Sequence, residues 1–281
     1  MEQQILWLVV NEASGSNDHQ AVEQVIDALG RHGHSPAKVI DIQQAEMPGR
    51  ATLDAAGVGL LAVFAGDGTT NALATGLESE GWGGKLLVLP GGTSNLLSKK
   101  LHGDIDAQAI LAQWPRMRPQ RRSCIRAPGH TALIEILAGP GAAWSDVREG
   151  MREGDLAEIA RSGAEAIKQT FTGPMVAVVE PAVGKAEGYT GIRMIPQGGA
   201  IQVEAYGVSN AGELLRQGVA LAKRDYREGP HDDLGGFSEV LCRSLGDAPI
   251  DLMIDGERGT TGPEAQFSLA EFGLDLLAVD P

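Results

Sequence analysis

Three times in its first hundred residues the chain passes from an unbroken apolar run into a turn rich in glycine and small polar residues. Ile5-Leu6-Trp7-Leu8-Val9-Val10 leads into Asn11-Glu12-Ala13-Ser14-Gly15. Leu60-Leu61-Ala62-Val63-Phe64 leads into Gly66-Asp67-Gly68-Thr69-Thr70-Asn71. Leu86-Leu87-Val88-Leu89 leads into Pro90-Gly91-Gly92-Thr93-Ser94-Asn95. Apolar runs of this length read as strands buried on both faces. Helical spacing follows, as in Ala21, Val22, Val25, Ile26 and Leu29 behind a capping Asp18. Ala37 to Ile42 adds a strand, and the stretches around Leu53 and from Thr70 to Leu77 add helices. Strands alternating with helices imply a parallel sheet with right-handed crossovers. Ligands of such sheets bind in the loops at the carboxyl ends of the strands.

The pattern changes after Leu101. Asp106 to Trp114 reads as one more helix, and the Pro- and Arg-rich stretch from Pro115 to Pro128 shows no apolar periodicity. It marks a boundary between an α/β domain, 1–122, and a β-rich domain, 123–281. In the second, Ala132 to Leu137, Met175 to Val179, Ile192 to Ile195, Ile201 to Ala205, Val240 to Leu245, Ile250 to Ile254 and Phe267 to Ala270 read as short strands. Gly, Pro or acidic turns bound most of them, as in an antiparallel sandwich. Helical stretches interrupt them at about 155–168 and 211–223.

Charge narrows the function classes. The formal net charge is −14, and such a surface repels nucleic acid and anionic membranes. No nucleic-acid partner is expected, and at most peripheral membrane contact. Arg116, Arg118, Arg121, Arg122 and Arg126 form the densest basic cluster and read as a solvated interdomain segment. Cys124 and Cys242 lack metal-ligand spacing and read as buried free thiols. The N-terminus lacks a signal peptide's basic flank, and no run of eighteen apolar residues occurs, so a cytoplasmic protein is expected. Edge-strand pairing makes a homodimer an open possibility.

The turns carry the chemistry. Glycine lets backbone N–H groups converge on an anion, and a helix N-terminus adds partial positive charge. Three such turns at one sheet edge make a phosphate cradle. Asp67 is a costly residue inside one unless Mg²⁺ or a reacting proton offsets its charge. The competing reading is a helix cap. No P-loop, dinucleotide Gly-x-Gly-x-x-Gly or Gly-x-Ser-x-Gly elbow is present.

The series Asn-x-x-Ser-Gly, Gly-Asp-Gly-Thr-x-Asn and Pro-x-Gly-Thr-x-Asn resembles the catalytic domain of the diacylglycerol and sphingosine kinase family in order and spacing. The resemblance implies a parallel α/β domain like that of NAD kinases and phosphofructokinases, followed by a mainly antiparallel β-sandwich. It implies ATP as phosphoryl donor, Mg²⁺ held with the help of Asp67, and a small-molecule or lipid alcohol as acceptor. Carried over by motif, the nucleotide residues are Asn11, Ser14, Gly15, Gly66, Asp67, Gly68, Thr69, Asn71, Gly91, Gly92, Thr93, Ser94 and Asn95. The late Asp255-Gly256-Glu257 matches the family's Asp-Gly-Glu and adds Asp255 and Glu257 to Asp67 as catalytic candidates; the residues alone also read as a hairpin.

Some positions depart from the family. Glu12 stands where Pro is usual, Ala65 where Gly is, Ala72 where Glu is, and Leu96 where Asp is frequent. These leave open a nucleotide sensor with a degenerate acceptor site. NAD kinase is a further alternative, disfavoured because Asn11-Glu12 is misplaced for that enzyme's Asn-Glu pair. Gly139 to Trp144 and the acidic Gly229-Pro230-His231-Asp232-Asp233 are secondary candidates, as an acceptor-side loop and a metal-holding turn.

Overall fold

A computed structural model describes residues 4–11, 19–143, 173–207 and 231–279. The helices expected at about 155–168 and 211–223 lie outside the described residues. The chain divides into two units, one ending at Arg122 and regaining the stretch from Glu271 on, the other Ser123–Ala270.

The first unit follows the apolar pattern closely. Strands β1 (Ile5–Val10), β2 (Lys38–Asp41), β3 (Val58–Ala65) and β4 (Lys85–Pro90) alternate with helices α1 (His19–Arg31), α2 (Arg50–Ala55) and α3 (Asp67–Ser79). Then come α4 (Leu96–His102) and α5 (Ala107–Ala112), the latter capped by Asp106, whose side chain accepts from the Ala109 N–H at 2.8 Å. Helix α1 buries Val22, Val25, Ala28 and Leu29, one stripe at helical spacing, against one face of the sheet. Two further strands complete this sheet, β5 (Met117–Gln120) and β17 (Asp275–Val279), in the order β2-β1-β3-β4-β17-β5. All neighbours are parallel except β17 and β5.

Strand β17 corrects the expected boundary. The 123–281 domain gives up its last strand to the first sheet, between β4 and β5. The unpatterned stretch from Pro115 to Pro128 also holds two strands, β5 and β6 (Ser123–Ala127). Pro119 is tolerated because β5 is an edge strand. Its basic residues are not simply solvated: Arg121 pairs with Asp275 at 2.5 Å.

Parallel pairing of β4 with β17 covers Lys85 and Leu86. Further along β4, the imidazole of His102 donates to the Val88 carbonyl. Burial drives the His102 pKa down to about 4; the Val88 carbonyl opposes the shift and the Arg122 charge adds to it. The folded ring is therefore neutral at pH values where the unfolded ring, near 6.5, takes up a proton. This contribution to stability is full above pH 6.5 and is lost as pH falls toward 4, to a depth of roughly 2–3 kcal/mol. Denaturation of wild type and His102→Gln between pH 7.5 and 4 tests it: the variant's stability should fall less steeply with acid.

The second unit is built from antiparallel sheets. One has the order β12-β11-β10-β8-β14-β15, with β8 (Ile136–Ala138), β10 (Gly191–Gln197), β11 (Ala200–Tyr206), β12 (Asp232–Phe237), β14 (Ile250–Ile254) and β15 (Glu257–Thr261). The other has the order β7-β6-β16-β13-β9, with β7 (His130–Ala132), β9 (Val176–Glu180), β13 (Glu239–Ser244) and β16 (Glu264–Glu271). Ile136, Ile192 and Leu252 from the first share one core with Ile125, Val240 and Phe267 from the second. The α/β-plus-sandwich architecture is thus as the sequence implied. Both cysteines are free and buried, and burial pushes the Cys242 thiol up to about 12. Among the described residues no helix is long and apolar enough to cross a membrane.

One expected strand, Ala132 to Leu137, is broken. The chain leaves one sheet at Ala132 and joins the other at Ile136. The freed N–H groups of Leu133, Ile134 and Glu135 all donate to the Asp255 carboxylate, at 2.7, 2.8 and 2.9 Å. The carboxylate replaces the ladder partners lost at the crossing.

Candidate functional site

In the order β2-β1-β3-β4, the chain leaves β1 toward β2 on one side and β3 toward β4 on the other. The loops after β1 and β3 therefore flank a topological switch point, where open α/β sheets bind ligands. The second and third glycine turns meet there, together with Asn11, the described residue of the first. Asn11 Nδ2 donates to Thr69 Oγ1 at 3.2 Å, joining the first turn to the second. Gln43 Nε2 donates to Asn11 Oδ1 at 3.0 Å and fixes the amide's orientation. The Gly91 N–H donates to the Ala65 carbonyl at 3.2 Å, joining the third turn to the second.

Gly92 sits against this joint. A Cβ on Gly92 would lie 2.5 Å from the Gly66 Cα, so glycine is needed for the close approach of two backbones. Asn95 holds the third turn in shape. Its Oδ1 accepts from the Gly92 N–H at 2.8 Å, and its Nδ2 donates to the Gly92 carbonyl at 2.7 Å. The residue is left-handed, with φ 52°, a conformation Asn tolerates better than most. Its amide is thus spent on the turn itself.

Helix α3 begins at this junction, with Gly66 as N-cap and no side-chain cap. First-turn N–H groups, those of Gly68 and Thr69 among them, have no acceptor within the helix. The macrodipole adds partial positive charge at the same place. Asn71 Oδ1 is buried and has no hydrogen-bond partner. The open helix start fits a phosphate-bearing ligand; the Asn71 oxygen is an acceptor and suits a hydroxyl or a cation's water instead. Asp67 Oδ1 accepts from the Leu96 N–H, the first of α4, at 2.5 Å. The carboxylate thus ties α3 to α4 rather than capping its own helix, and it is half-buried at the same turn. A single carboxylate beside a phosphate site suits Mg²⁺, which takes one or two carboxylates and fills its shell with phosphate oxygens and water. Ser14 and Gly15 lie outside the described residues. Thr93 is exposed and Ser94 half-buried in the third turn.

The second unit holds the other two candidates on one hairpin. Asp255 and Gly256 have φ of 50° and 95°, and Ile254 pairs with Glu257 across them. This is the two-residue Asp-Gly turn in which both central residues are left-handed. Asp255 is 5% exposed and accepts the three N–H groups of 133–135, while its own N–H donates to the Glu135 carbonyl at 3.0 Å. Glu257, two residues on, is exposed at the start of β15.

The secondary candidates have structural employment. Gly139 and Gly141 pack on the Thr190 carbonyl, to which the Gly141 N–H donates at 2.7 Å. Trp144, Gly229 and Pro230 lie outside the described residues. Asp232 belongs to strand β12 rather than to a turn, pairing with Lys185 at 2.9 Å and accepting from the Tyr189 hydroxyl at 3.0 Å. Among the described residues, no group of three or more His, Cys, Asp or Glu is placed to hold a metal. Sequence reading missed the buried chain Glu135, Arg193, Glu204. Arg193 at the middle of an apolar strand was its signal.

Residues 5–125 match the diacylglycerol kinase catalytic domain. The resemblance carried by the three turn motifs is borne out over that span. No curated protein matches the chain. Among solved structures, the chain is similar to a diacylglycerol kinase from Bacillus anthracis str. Sterne, with a TM-score of 0.64, 17% identity, and 99% of this chain and 98% of that chain covered. Two further structures from that strain align with TM-scores of 0.65 and 0.63 at 16% identity, again over 99% of this chain and over 96% and 98% of theirs. The likeness in fold extends through both units.

Proposed function

We propose that the chain is an ATP-dependent phosphotransferase that moves the γ-phosphate to the hydroxyl of an alcohol, a lipid alcohol in particular. The observation that carries this reading is the uncapped, glycine-lined start of α3 at the sheet's switch point. Its N–H groups suit the phosphates of ATP. Asp67 would hold Mg²⁺, which neutralises phosphate charge when bound. The acceptor oxygen forms a bond to the γ-phosphorus as the bond to the ADP oxygen breaks, and its proton passes to a carboxylate. Glu257 suits that task better than Asp255, whose oxygens already accept three backbone N–H groups. A loose transition state needs little proton removal beforehand, so an ordinary carboxylate suffices.

Thermal melting with ATP–Mg²⁺, ADP and NAD, followed by turnover on diacylglycerol, sphingoid-base and sugar alcohols, tests the reading. Wild type should be stabilised by ATP–Mg²⁺ and should turn over on a lipid alcohol. Glu257→Gln should lower kcat at least tenfold, roughly, while keeping the ATP stabilisation. Asp67→Asn should weaken both. Wild-type rates in both variants would sink the proposal.

A second reading is a nucleotide sensor. Ala72 and Leu96 stand where the family has acidic residues, and an Asp67 oxygen is committed to the Leu96 N–H. Stabilisation by ATP with no turnover on the whole panel favours it.

A further inference from the structure

The face of the β12-to-β15 sheet turned away from the core carries a buried ionic chain. Arg193 opposes Glu204 across β10 and β11. Its Nη1 donates to Glu204 Oε2 at 2.8 Å, and the Tyr206 hydroxyl donates to the same oxygen at 2.8 Å. Its Nε and Nη2 both donate to Glu135 Oε2, at 2.8 and 2.5 Å. Glu135 is 2% exposed and Arg193 6%. Such a chain is expensive: desolvating these groups costs several kcal/mol each, and an apolar replacement is often no less stable. Stability alone gives it little reason to exist.

Its position supplies one. Glu135 is the residue where the chain crosses between sheets, and its backbone bonds Asp255 twice, through its N–H and its carbonyl. Asp255 begins the two-residue turn that presents Glu257. Arg193 thus grips the Glu135 side chain while Asp255 grips the Glu135 backbone. The bonds run without a gap from Tyr206 on β11 to the turn that starts β15.

We propose that Arg193 is a positioning residue for Glu257, acting through Glu135 and Asp255; the catalytic part of this rests on the phosphotransferase reading above. The guanidinium fork fixes Glu135 in one orientation. The 133–135 amides are thereby held in place for Asp255, and the turn is held for Glu257. Lysine keeps the charge but not the fork.

Arg193→Lys in the full chain is the test, with two readouts. Amide hydrogen exchange reports the anchoring directly. Leu133, Ile134, Glu135 and Asp255 should exchange roughly tenfold faster or more, while β13 and β16 keep wild-type protection. A folded variant with wild-type protection at those four amides overturns the anchoring. Turnover reports the consequence: kcat falls about tenfold or more with KM for ATP unchanged. The same substitution in a Glu257→Gln background should cost nothing further, because the two residues act as one unit. A full, additive loss there overturns the positioning role. If Arg193→Lys does not fold, Glu204→Gln, which loosens Arg193 from its other side, should show the same local exchange pattern at smaller amplitude; unchanged exchange there counts against the proposal equally. A wild type without turnover on any alcohol overturns the phosphotransferase reading and the catalytic role together. The exchange measurement then decides whether the anchoring stands.

Discussion

Gly92→Val is expected to weaken nucleotide binding by a factor on the order of a hundred while leaving the second unit folded. The Cβ of any residue at this position falls 2.5 Å from the Gly66 Cα, and that obstacle is backbone. It cannot rotate away as a flexible side chain would. The second and third turns must separate, and two contacts go with them: the Gly91–Ala65 bond and the Asp67–Leu96 bond. A displacement of about an ångström at a phosphate site is enough for a loss on the order of a hundredfold. Titration calorimetry with ATP–Mg²⁺ measures it. Gly92→Ala should show the same loss in milder form. Wild-type affinity in either variant means that the turns do not form the phosphate cradle.

Asp255→Asn carries the largest expected effect on stability. The aspartate offers two oxygens to three backbone donors, all buried. Asparagine offers one oxygen and turns an NH₂ group against at least one of those donors. A buried donor without an acceptor, added to the loss of charge-assisted bonds, costs about 3 kcal/mol or more. Urea denaturation followed by the second unit's signal checks this. Asp255→Asn should also lower turnover, because Glu257 sits on the same turn, and that loss should accompany the instability. A fully stable Asp255→Asn that has lost activity would instead make Asp255 itself the proton acceptor. Glu257→Gln removes no described hydrogen bond and should leave stability within about 0.5 kcal/mol.

These expectations separate what local sequence carries from what it does not. Strands β1, β3 and β4 were legible because each is buried on both faces and so is apolar throughout. The turns behind them were legible because close backbone approach and open helix starts demand glycine at fixed places. The use made of each turn residue was less so. Asn95 looked like a ligand residue and proves to clamp Gly92. Asp67 looked like a metal or proton site and also joins two helices. Asp255 has a fold-building duty that its sequence neighbours do not reveal, since the donors it serves belong to 133–135. The same distance hid the break between β7 and β8, where an unremarkable apolar run is split by a carboxylate from elsewhere in the chain. Strands β5 and β17 escaped notice for a related reason. Each is short, and what makes it a strand is its pairing with residues distant in sequence. Asp232 and Asp233 read as part of an acidic turn, Gly229 to Asp233, because the edge strand they open holds two consecutive glycines and little apolar pattern.

The insertion of β17 between β4 and β5 sets an order on events during synthesis. The sheet that presents the glycine turns lacks an interior strand until Asp275–Val279 has left the ribosome. By then the whole sandwich unit has already emerged. The nascent sheet must therefore wait with an open seam beside β4, and the sandwich can condense first. Translation of Asp275–Val279 is what closes the earlier-made sheet.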